Sequence, residues 1–182
     1  CDNTLASDKA LYVGHAVAAV AAVDGHTAEQ ALRLIDVEYE ALPAVVDVLA
    51  AAQPGAPLLH PNMRTRSLAG TGTEPSNVAA HYQMLKGDPA HGFAQADAVV
   101  EREFHTLTVH QGYLEPHAST AMWAPDGAIT IYTCTQGAFA VRDIVAELLQ
   151  YPMSKITVIP TEVGGAFGGK NVSYFDAVAA LL

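Results

Sequence analysis

The glycine-rich stretch VGGAFGGK, residues 163–170, places four glycines within eight residues, between a strand-like pattern and a helix-like pattern. Because glycine has no Cβ, it adopts positive-φ backbone conformations and lets backbone N–H groups come close to a ligand. N–H groups at the start of a helix favour negatively charged oxygen atoms. The stretch therefore predicts a loop that cradles oxyanions, although a purely structural turn would use the same residues.

Regular patterns on both sides of this loop predict a layered α/β arrangement. Residues 119–123 and 128–134 predict a hairpin, with the turn residues Pro125-Asp126-Gly127 between them. Residues 138–149 have apolar side chains at helical spacing, and residues 156–159 predict a further strand. The order strand, helix, strand, glycine loop, helix favours a unit whose helix N-termini face one site.

The first part of the chain predicts a second, smaller α/β unit. Residues 11–20 are rich in valine and alanine and predict a buried strand. Residues 37–41 alternate apolar and acidic side chains, as a half-buried strand does. Between them, residues 27–35 have helical spacing, with Thr27 as the expected N-cap.

A change in composition separates the two parts. Residues 53–75 are rich in proline, glycine and small polar residues, so we expect no regular element there and a linker over 53–80. Beyond the linker, residues 89–96 predict a helix and residues 100–108 a strand. The helical run 176–182 has no terminating residue, and with a first residue other than Met this predicts a piece of a longer polypeptide.

Composition excludes several functional classes. The 182 residues carry a formal net charge of −10 without a basic cluster, which argues against a nucleic-acid partner. Cys1 and Cys134 are too few and too far apart for a disulfide framework or a cluster-binding motif. No apolar run is long enough to cross a bilayer. A cytoplasmic globular protein is the expectation.

Two further segments complete a pattern with the glycine loop. They are HQGYLEPH, residues 110–117, and TCTQG, residues 133–137. In this order and at these spacings, the three segments resemble the large subunit of the molybdenum hydroxylases, the xanthine dehydrogenase and aldehyde oxidase family. The resemblance implies an α/β (α+β) fold, in which residues 1–52 are the C-terminal part of an α/β hammerhead domain and residues 81–182 the N-terminal part of a molybdopterin-binding domain.

The resemblance also implies how the cofactor is contacted. In the family, the glutamine at the position of Gln136 hydrogen-bonds an oxygen ligand of molybdenum, and backbone groups around the phenylalanine at the position of Phe167 contact the oxygen ligand. Both are therefore expected near the metal, with no direct protein ligand. The expected cofactor-binding residues are Gln136, Gly137, Gly165, Ala166, Phe167 and Gly168. A neutral amide suits this role because it stabilises negative charge without titrating, although Gln136 could instead simply cap a helix.

Other polar residues allow more than one interpretation. His110, Glu115 and His117 could ligate zinc or iron, but their spacing is not a metal-site motif and Pro116 prevents a regular helix through Glu115. A supporting or structural role for Glu115 and a packing role for His117 are therefore favoured over a metal site. Arg142 either contacts a cofactor phosphate or pairs with a neighbouring carboxylate.

Substrate-side candidates are Glu115 and Asn171. Purine-oxidising members of the family carry a glutamate directly after the loop lysine, where this chain has Asn171. The resemblance therefore favours another substrate: an aldehyde, an aromatic acyl thioester, an N-heterocycle or carbon monoxide.

The implied activity is oxidative hydroxylation with water as the oxygen source. Its cofactor is molybdopterin, expected in a dinucleotide form, with iron–sulfur clusters and FAD on partner subunits. The family's catalytic base lies near the far C-terminus, so no catalytic residue is expected here and the chain alone is expected to be inactive. It would act with the rest of the large subunit, an iron–sulfur subunit, a flavin subunit and a small-molecule substrate.

Two alternatives come from other classes. The first is a scaffold or assembly module that keeps the fold without metal. The second is an unrelated α/β phosphate-binding domain. Against the second, Lys170 is followed by Asn171 rather than by the serine or threonine of a phosphate-binding P-loop.

Overall fold

The computed structural model describes residues 4–182, so Cys1 lies outside the described residues. Two compact units divide the chain: one comprises residues up to Val37 together with Leu107–Leu182, and the other comprises Glu38–Thr106. The elements, in chain order, are α1 (Gly25–Leu32), α2 (Val48–Ala51), β1 (Arg64–Ser67), β2 (Gly70–Pro75), α3 (Pro89–Gln95), β3 (Ser119–Trp123), β4 (Ile129–Thr133), α4 (Ala138–Leu149), a 3₁₀ turn (Met153–Lys155), β5 (Ile156–Pro160) and α5 (Asp176–Leu181). No helix among them is long and apolar enough to cross a membrane.

A three-stranded sheet organises the first unit. Its central strand β4 pairs antiparallel with β3 and parallel with β5, so that Ile131 lies between Ala121 and Val158. The β3–β4 turn closes where Gly127 adopts a φ of 82° and donates its N–H to the Ala124 carbonyl oxygen at 2.9 Å. The predicted hairpin, the helix over 138–149 and the following strand are thus confirmed, and the fold combines helices with strands as expected.

The core lies between this sheet and two helices. Ile129 and Ile131 alternate along β4 on the same face and are fully buried. They pack with Val141 and Val145, which are one helical turn apart on α4. Helix α5 closes the cluster, and its Ala180 carbonyl oxygen accepts a hydrogen bond from the Trp123 indole N–H at 2.7 Å. This packing fixes the carboxyl ends of β4 and β5, where the glycine loop and the 133–137 segment begin.

The first residues of the chain differ from expectation in two ways. Helix α1 begins at Gly25, and its N-cap is Asp24, whose carboxylate accepts the Thr27 N–H at 2.7 Å, so the prediction of Thr27 as the cap was wrong. Residues 11–20 form no strand because a turn interrupts them: Gly14 has a φ of 90°, and the Leu11 N–H donates to the ring nitrogen Nδ1 of His15 at 3.1 Å.

The second unit contains a hairpin where no regular element was expected. Strands β1 and β2 pair antiparallel within the proline-rich stretch, so the prediction for residues 53–75 was wrong. Asn77 ties this segment together by donating its amide to the carbonyl oxygens of Ala51 and Pro57 and accepting the Leu59 N–H. Side-chain hydrogen bonds therefore provide the order that the apolar pattern did not indicate.

Three other predictions concern residues 37–41, 89–96 and 100–108. The helix is confirmed as α3, with Asp88 as its N-cap. The two strands predicted over 37–41 and 100–108 are wrong, since neither segment belongs to a backbone ladder within residues 4–182. Alternation defines the two faces of a strand, but a strand also needs a neighbour to satisfy its backbone groups.

Candidate functional site

Lys170, the last residue of the glycine loop, joins three separate segments of the first unit. Its residue exposure is 1%, although lysine is almost never fully buried without a partner. The Lys170 carbonyl oxygen accepts the Gln136 N–H at 2.9 Å and the Thr135 hydroxyl at 3.0 Å. Its ammonium group forms an ion pair with Glu115. The loop, the 133–137 segment and the 110–117 segment therefore meet at one residue.

The Glu115 carboxylate serves both Lys170 and the start of the loop. Its Oε2 atom accepts from the Lys170 ammonium group and from the Gly164 N–H, the latter at 2.9 Å. The Glu115 backbone N–H also donates to the Gly164 carbonyl oxygen at 3.3 Å. The hydrogen bond from Lys170, followed by that from Gly164, lowers the pKa of Glu115. The carboxylate is therefore charged at neutral pH.

The lysine ammonium group lies over the Tyr113 ring, 5.0 Å from its centroid. Burial by itself disfavours the charged form, but the hydrogen bond and charge of Glu115, with Cys134 nearby, outweigh burial and raise the pKa of Lys170. Cys134 itself is a buried free thiol. The site thus contains a pair of opposite charges beneath the loop, in which the lysine is buried and the glutamate side chain is 33% exposed.

Gln136 is held in one orientation by the loop backbone. Its side-chain oxygen Oε1 accepts the N–H groups of Gly168 at 3.1 Å and Lys170 at 3.4 Å. Because backbone N–H groups can only donate, these contacts identify the amide oxygen and leave the NH₂ group directed elsewhere. Gln136 is exposed, so this NH₂ group is available as a donor to a ligand.

The loop backbone adopts three left-handed conformations in four residues. Gly165 and Gly168 have φ values of 92° and 88°, which glycine adopts without strain. Phe167 has a φ of 50°, which is uncommon for a residue with a Cβ, and its side chain is 74% exposed. Such a conformation persists only where its surroundings enforce it, and it is found preferentially at ligand sites.

The histidines of the 110–117 segment contact aromatic rings. The His117 ring nitrogen Nε2 lies 2.9 Å from the Tyr113 hydroxyl group, and its ring packs 4.5 Å from that of Tyr174. Burial, then the charge of Lys170, lowers the pKa of His117, which favours the neutral imidazole. No group of three potential metal-ligating side chains is found among residues 4–182, so the zinc or iron interpretation of His110, Glu115 and His117 has no geometric support.

The remaining predicted site residues surround the loop. Gly137 precedes α4 and donates its N–H to the Thr135 hydroxyl at 3.0 Å, Ala166 is buried, and Asn171 is exposed beside Lys170. Arg142 pairs with the Asp143 carboxylate at 3.4 Å and lies over the Phe139 ring, which corresponds to the carboxylate alternative.

The roles of the side chains beneath the loop were not predicted from the sequence. Lys170, Tyr113 and Thr135 join the loop to its neighbours, and none of them was predicted to have a role. The sequence contained one indication that Lys170 is not a phosphate-binding lysine. It directly follows four small or apolar loop residues and precedes no serine or threonine of a phosphate-binding loop. Its burial could not be predicted, because it depends on contacts with a segment 55 residues away in sequence.

The arrangement presents neutral donors in one place. Both the 133–137 segment and the glycine loop follow the carboxyl ends of neighbouring parallel strands, where ligands bind in open α/β sheets. The amide NH₂ group of Gln136 and the left-handed loop backbone are exposed there, whereas the charges of Glu115 and Lys170 neutralise each other. Such a site can bind and polarise an oxygen-rich ligand without titrating near neutral pH.

Comparison with protein families gives two matches. Residues 71–182 match the molybdopterin cofactor-binding domain. Residues 1–43 match the a/b hammerhead domain of aldehyde oxidase and xanthine dehydrogenase.

Curated relatives cover nearly all of the chain. A probable xanthine dehydrogenase subunit from Bacillus subtilis is 33% identical over 98% of this chain and 22% of its own length. The carbon monoxide dehydrogenase large chain of Afipia carboxidovorans is 32% identical over 98% and 22%. The nicotinate dehydrogenase large molybdopterin subunit of Eubacterium barkeri is 30% identical over 91% and 36%. The chain thus spans about a fifth of the length of the first two relatives.

Solved structures agree with these matches. Quinoline 2-oxidoreductase from Pseudomonas putida 86 aligns with a TM-score of 0.69 and 28% identity over 88% of this chain and 19% of that protein. Reconstituted CO dehydrogenase from Oligotropha carboxidovorans aligns with a TM-score of 0.65 and 29% identity over 85% and 20%.

Proposed function

The chain belongs to the aldehyde oxidase and xanthine dehydrogenase family of molybdopterin-binding oxidoreductases, and we propose that it forms part of the cofactor site of such an enzyme. The observation that carries the proposal is the orientation of Gln136, whose oxygen is occupied by two loop N–H groups while its NH₂ group remains available. Family membership also rules out the alternative of an unrelated phosphate-binding domain.

The residues present fit an oxygen-bearing cofactor. A side chain at Gly168 would extend into open space, so the loop leaves room beside Gln136. In the proposed site, Gln136 donates a hydrogen bond to an oxygen atom of molybdopterin, and the backbone at Phe167 lies against the cofactor. Gly137, Gly165 and Gly168 form the surrounding surface, and the buried Ala166 lies between them in the loop. When bound, molybdopterin supplies two-electron oxidation of a carbon atom with water as the oxygen source.

The role of Gln136 follows from its chemistry. An amide donor held by its own oxygen needs no reorganisation as negative charge develops nearby, and it stays neutral across the physiological pH range. The Glu115–Lys170 ion pair adds little net charge beneath the loop, so the surface offered to the cofactor consists of N–H dipoles.

The substrate class is also part of the proposal. We propose an aldehyde, an aromatic or N-heterocyclic carbon, or carbon monoxide, with Asn171 on the substrate side. The names of the relatives mention xanthine, carbon monoxide and nicotinate, so these names favour no single substrate. Asn171 is therefore the residue of this chain on which the proposed substrate class rests. A dinucleotide form of molybdopterin belongs to the same proposal.

Partner chains and location complete the proposal. Several relatives are named as subunits or large chains, which supports assembly with other chains. We propose that these chains are iron–sulfur and flavin subunits and that further large-subunit residues supply the catalytic base. We also propose the cytoplasm as the location of this assembly.

The test is the molybdenum content of the native protein, isolated with every chain that accompanies it. We expect close to one molybdenum atom per chain by elemental analysis. A folded native protein without molybdenum would contradict the proposal and favour the scaffold alternative.

A matched pair of variants then tests Gln136. Gln136→Glu keeps an oxygen for the loop N–H groups but removes the NH₂ donor. The wild-type protein is first tested with an aldehyde, quinoline and carbon monoxide to find a substrate that it oxidises. With that substrate, we expect the oxidation rate of Gln136→Glu to be lower by about 10²–10³-fold. Gln95→Glu changes an exposed glutamine on α3 and should leave the rate unchanged. Equal rates for both variants would contradict the role of Gln136.

A further inference from the structure

The most unusual charged group of the described residues is the buried side chain of Lys170. Taking an ammonium group out of water is strongly unfavourable unless an anion and hydrogen bonds compensate. Here the compensating anion is Glu115, and the Tyr113 ring covers the ammonium group. Because Lys170 is 1% exposed, it cannot itself reach a ligand on the loop surface.

The pair connects both ends of the glycine loop. Glu115 accepts the N–H of Gly164 near the start of the loop with the same Oε2 atom that binds Lys170 at its end. The backbone of Lys170 in turn contacts the backbone and side chain of Gln136. A change at the ion pair would therefore alter both the span of the loop and the position of the amide.

We propose that Glu115 and Lys170 are positioning residues, whose ion pair sets the span of the glycine loop and thereby holds Phe167 and Gln136 in the geometry that binds the cofactor. This inference rests on the proposed function. It gives Glu115 a supporting role beneath the loop, which is one of the two roles expected from the sequence, and not the substrate-side role.

The backbone conformation of the glycine loop explains why the ion pair is needed to restrain it. Phe167 has a left-handed backbone that costs free energy, and Gln136 is exposed, so neither is held by burial in the core. By holding Gly164 and Lys170, the Glu115 carboxylate restricts the conformations that are open to the turn between them. Partners one layer away from a bound group commonly change metal affinity or activity by about 10–100-fold when removed.

The test uses three variants of the native protein, expressed with its accompanying chains. Glu115→Gln retains an oxygen for the Gly164 N–H but leaves the lysine charge buried without an anion. Lys170→Met removes that charge and keeps most of the side-chain volume. The double variant has no charges at these two positions but can keep the hydrogen bond to Gly164. It therefore separates the effect of losing the ion pair from the damage caused by an unpaired buried charge.

Two measurements are made on each variant: molybdenum per chain, and hydrogen exchange of the backbone amides from Gly164 to Lys170. We expect Glu115→Gln to lose about tenfold or more of its molybdenum and its loop amides to exchange about tenfold faster or more, with partial recovery of both in the double variant. Val145→Ala is the matched control, because it destabilises the fully buried core of α4 without contacting the loop. It should lower the unfolding temperature while leaving both measurements unchanged.

Several results would overturn the inference. Wild-type molybdenum content and loop exchange in Glu115→Gln would contradict it. Full recovery of both in the double variant would also contradict it, because that variant has no ion pair and its recovery would assign the loss in Glu115→Gln to the unpaired charge alone. Equal losses in Val145→Ala would reduce the role to general stability. If the wild-type protein contains no molybdenum, the proposed function fails, and the exchange series alone decides whether the pair positions the loop.

Discussion

Strand β4 and residues 100–108 have the same kind of sequence pattern and different structures. In β4, Ile129 and Ile131 alternate with polar or exposed residues and are fully buried between neighbouring strands and two helices. In the second stretch, Val100 and Phe104 alternate in the same way but are 75% and 86% exposed, with no ladder partner within residues 4–182. Periodicity therefore specifies which side chains share a face, whereas burial depends on the neighbour.

The largest expected difference between the two stretches is in stability. Ile131→Ala removes a fully buried side chain from the core, and we expect it to lower the free energy of unfolding by about 2–5 kcal/mol. Val100→Ala removes a side chain that is already exposed and should change it by less than about 0.5 kcal/mol. Urea unfolding of the native protein measures both. A comparable loss for Val100→Ala would mean that a further partner covers it.

A second pair of variants compares the loop with helix α3. A Cβ at Gly169 would lie 2.8 Å from the Tyr113 ring and 3.0 Å from Gln111, so Gly169→Ala should cost about 1–3 kcal/mol of unfolding free energy. Gly92 lies within α3 with open space around it, and Gly92→Ala should add about 0.5–1 kcal/mol. Unfolding curves that show no loss for Gly169→Ala would mean that the loop is not packed as described.

The smallest expected effect is a dependence of stability on pH. The pKa of His117 is lowered from 6.5, so its contribution to stability is fully present above that value and is lost as the pH falls below it. The pKa of Glu115 is lowered from 4.5, so its contribution should stay constant between about pH 7.5 and about pH 5.5. Within this range, the decrease in unfolding temperature on acidification should be weaker in His117→Phe than in the wild-type protein.

The control for this effect is His91→Phe, which changes an exposed histidine on α3 and should keep the wild-type dependence on pH. An identical slope for wild type and His117→Phe would show that the aromatic environment of His117 does not favour its neutral form.

Sequence alone predicted the elements whose signals are local. The hairpin β3–β4, helix α4 and strand β5 follow from apolar spacing and turn residues, and their neighbours in space are also neighbours in sequence. The hairpin β1–β2 was missed because its strands, RTRS and GTGTEP, have no apolar alternation and depend on hydrogen bonds instead. The prediction of a strand over residues 11–20 was wrong, because a turn at Gly14 interrupts this segment despite its high β propensity.

The sequence indicated the residues that face the ligand in the candidate site, but not the residues that hold them in place. Gln136 and the loop glycines were identified through glycine spacing and the family resemblance, and their roles stay predictions. The Glu115–Lys170 pair joins residues whose proximity depends on the assembled fold, and no local pattern indicates that a lysine will be buried. Charged residues at the end of a glycine loop therefore need a structure before they can be assigned to a ligand or to the loop.

The most direct test of the cofactor site is anomalous X-ray scattering at the molybdenum edge from crystals of the native protein. We expect one molybdenum peak beside the glycine loop, with an oxygen atom of the cofactor at about 2.7–3.2 Å from the Gln136 amide nitrogen. No molybdenum peak, or a peak remote from Gln136 and Phe167, would contradict the assignment of the loop as a molybdopterin site.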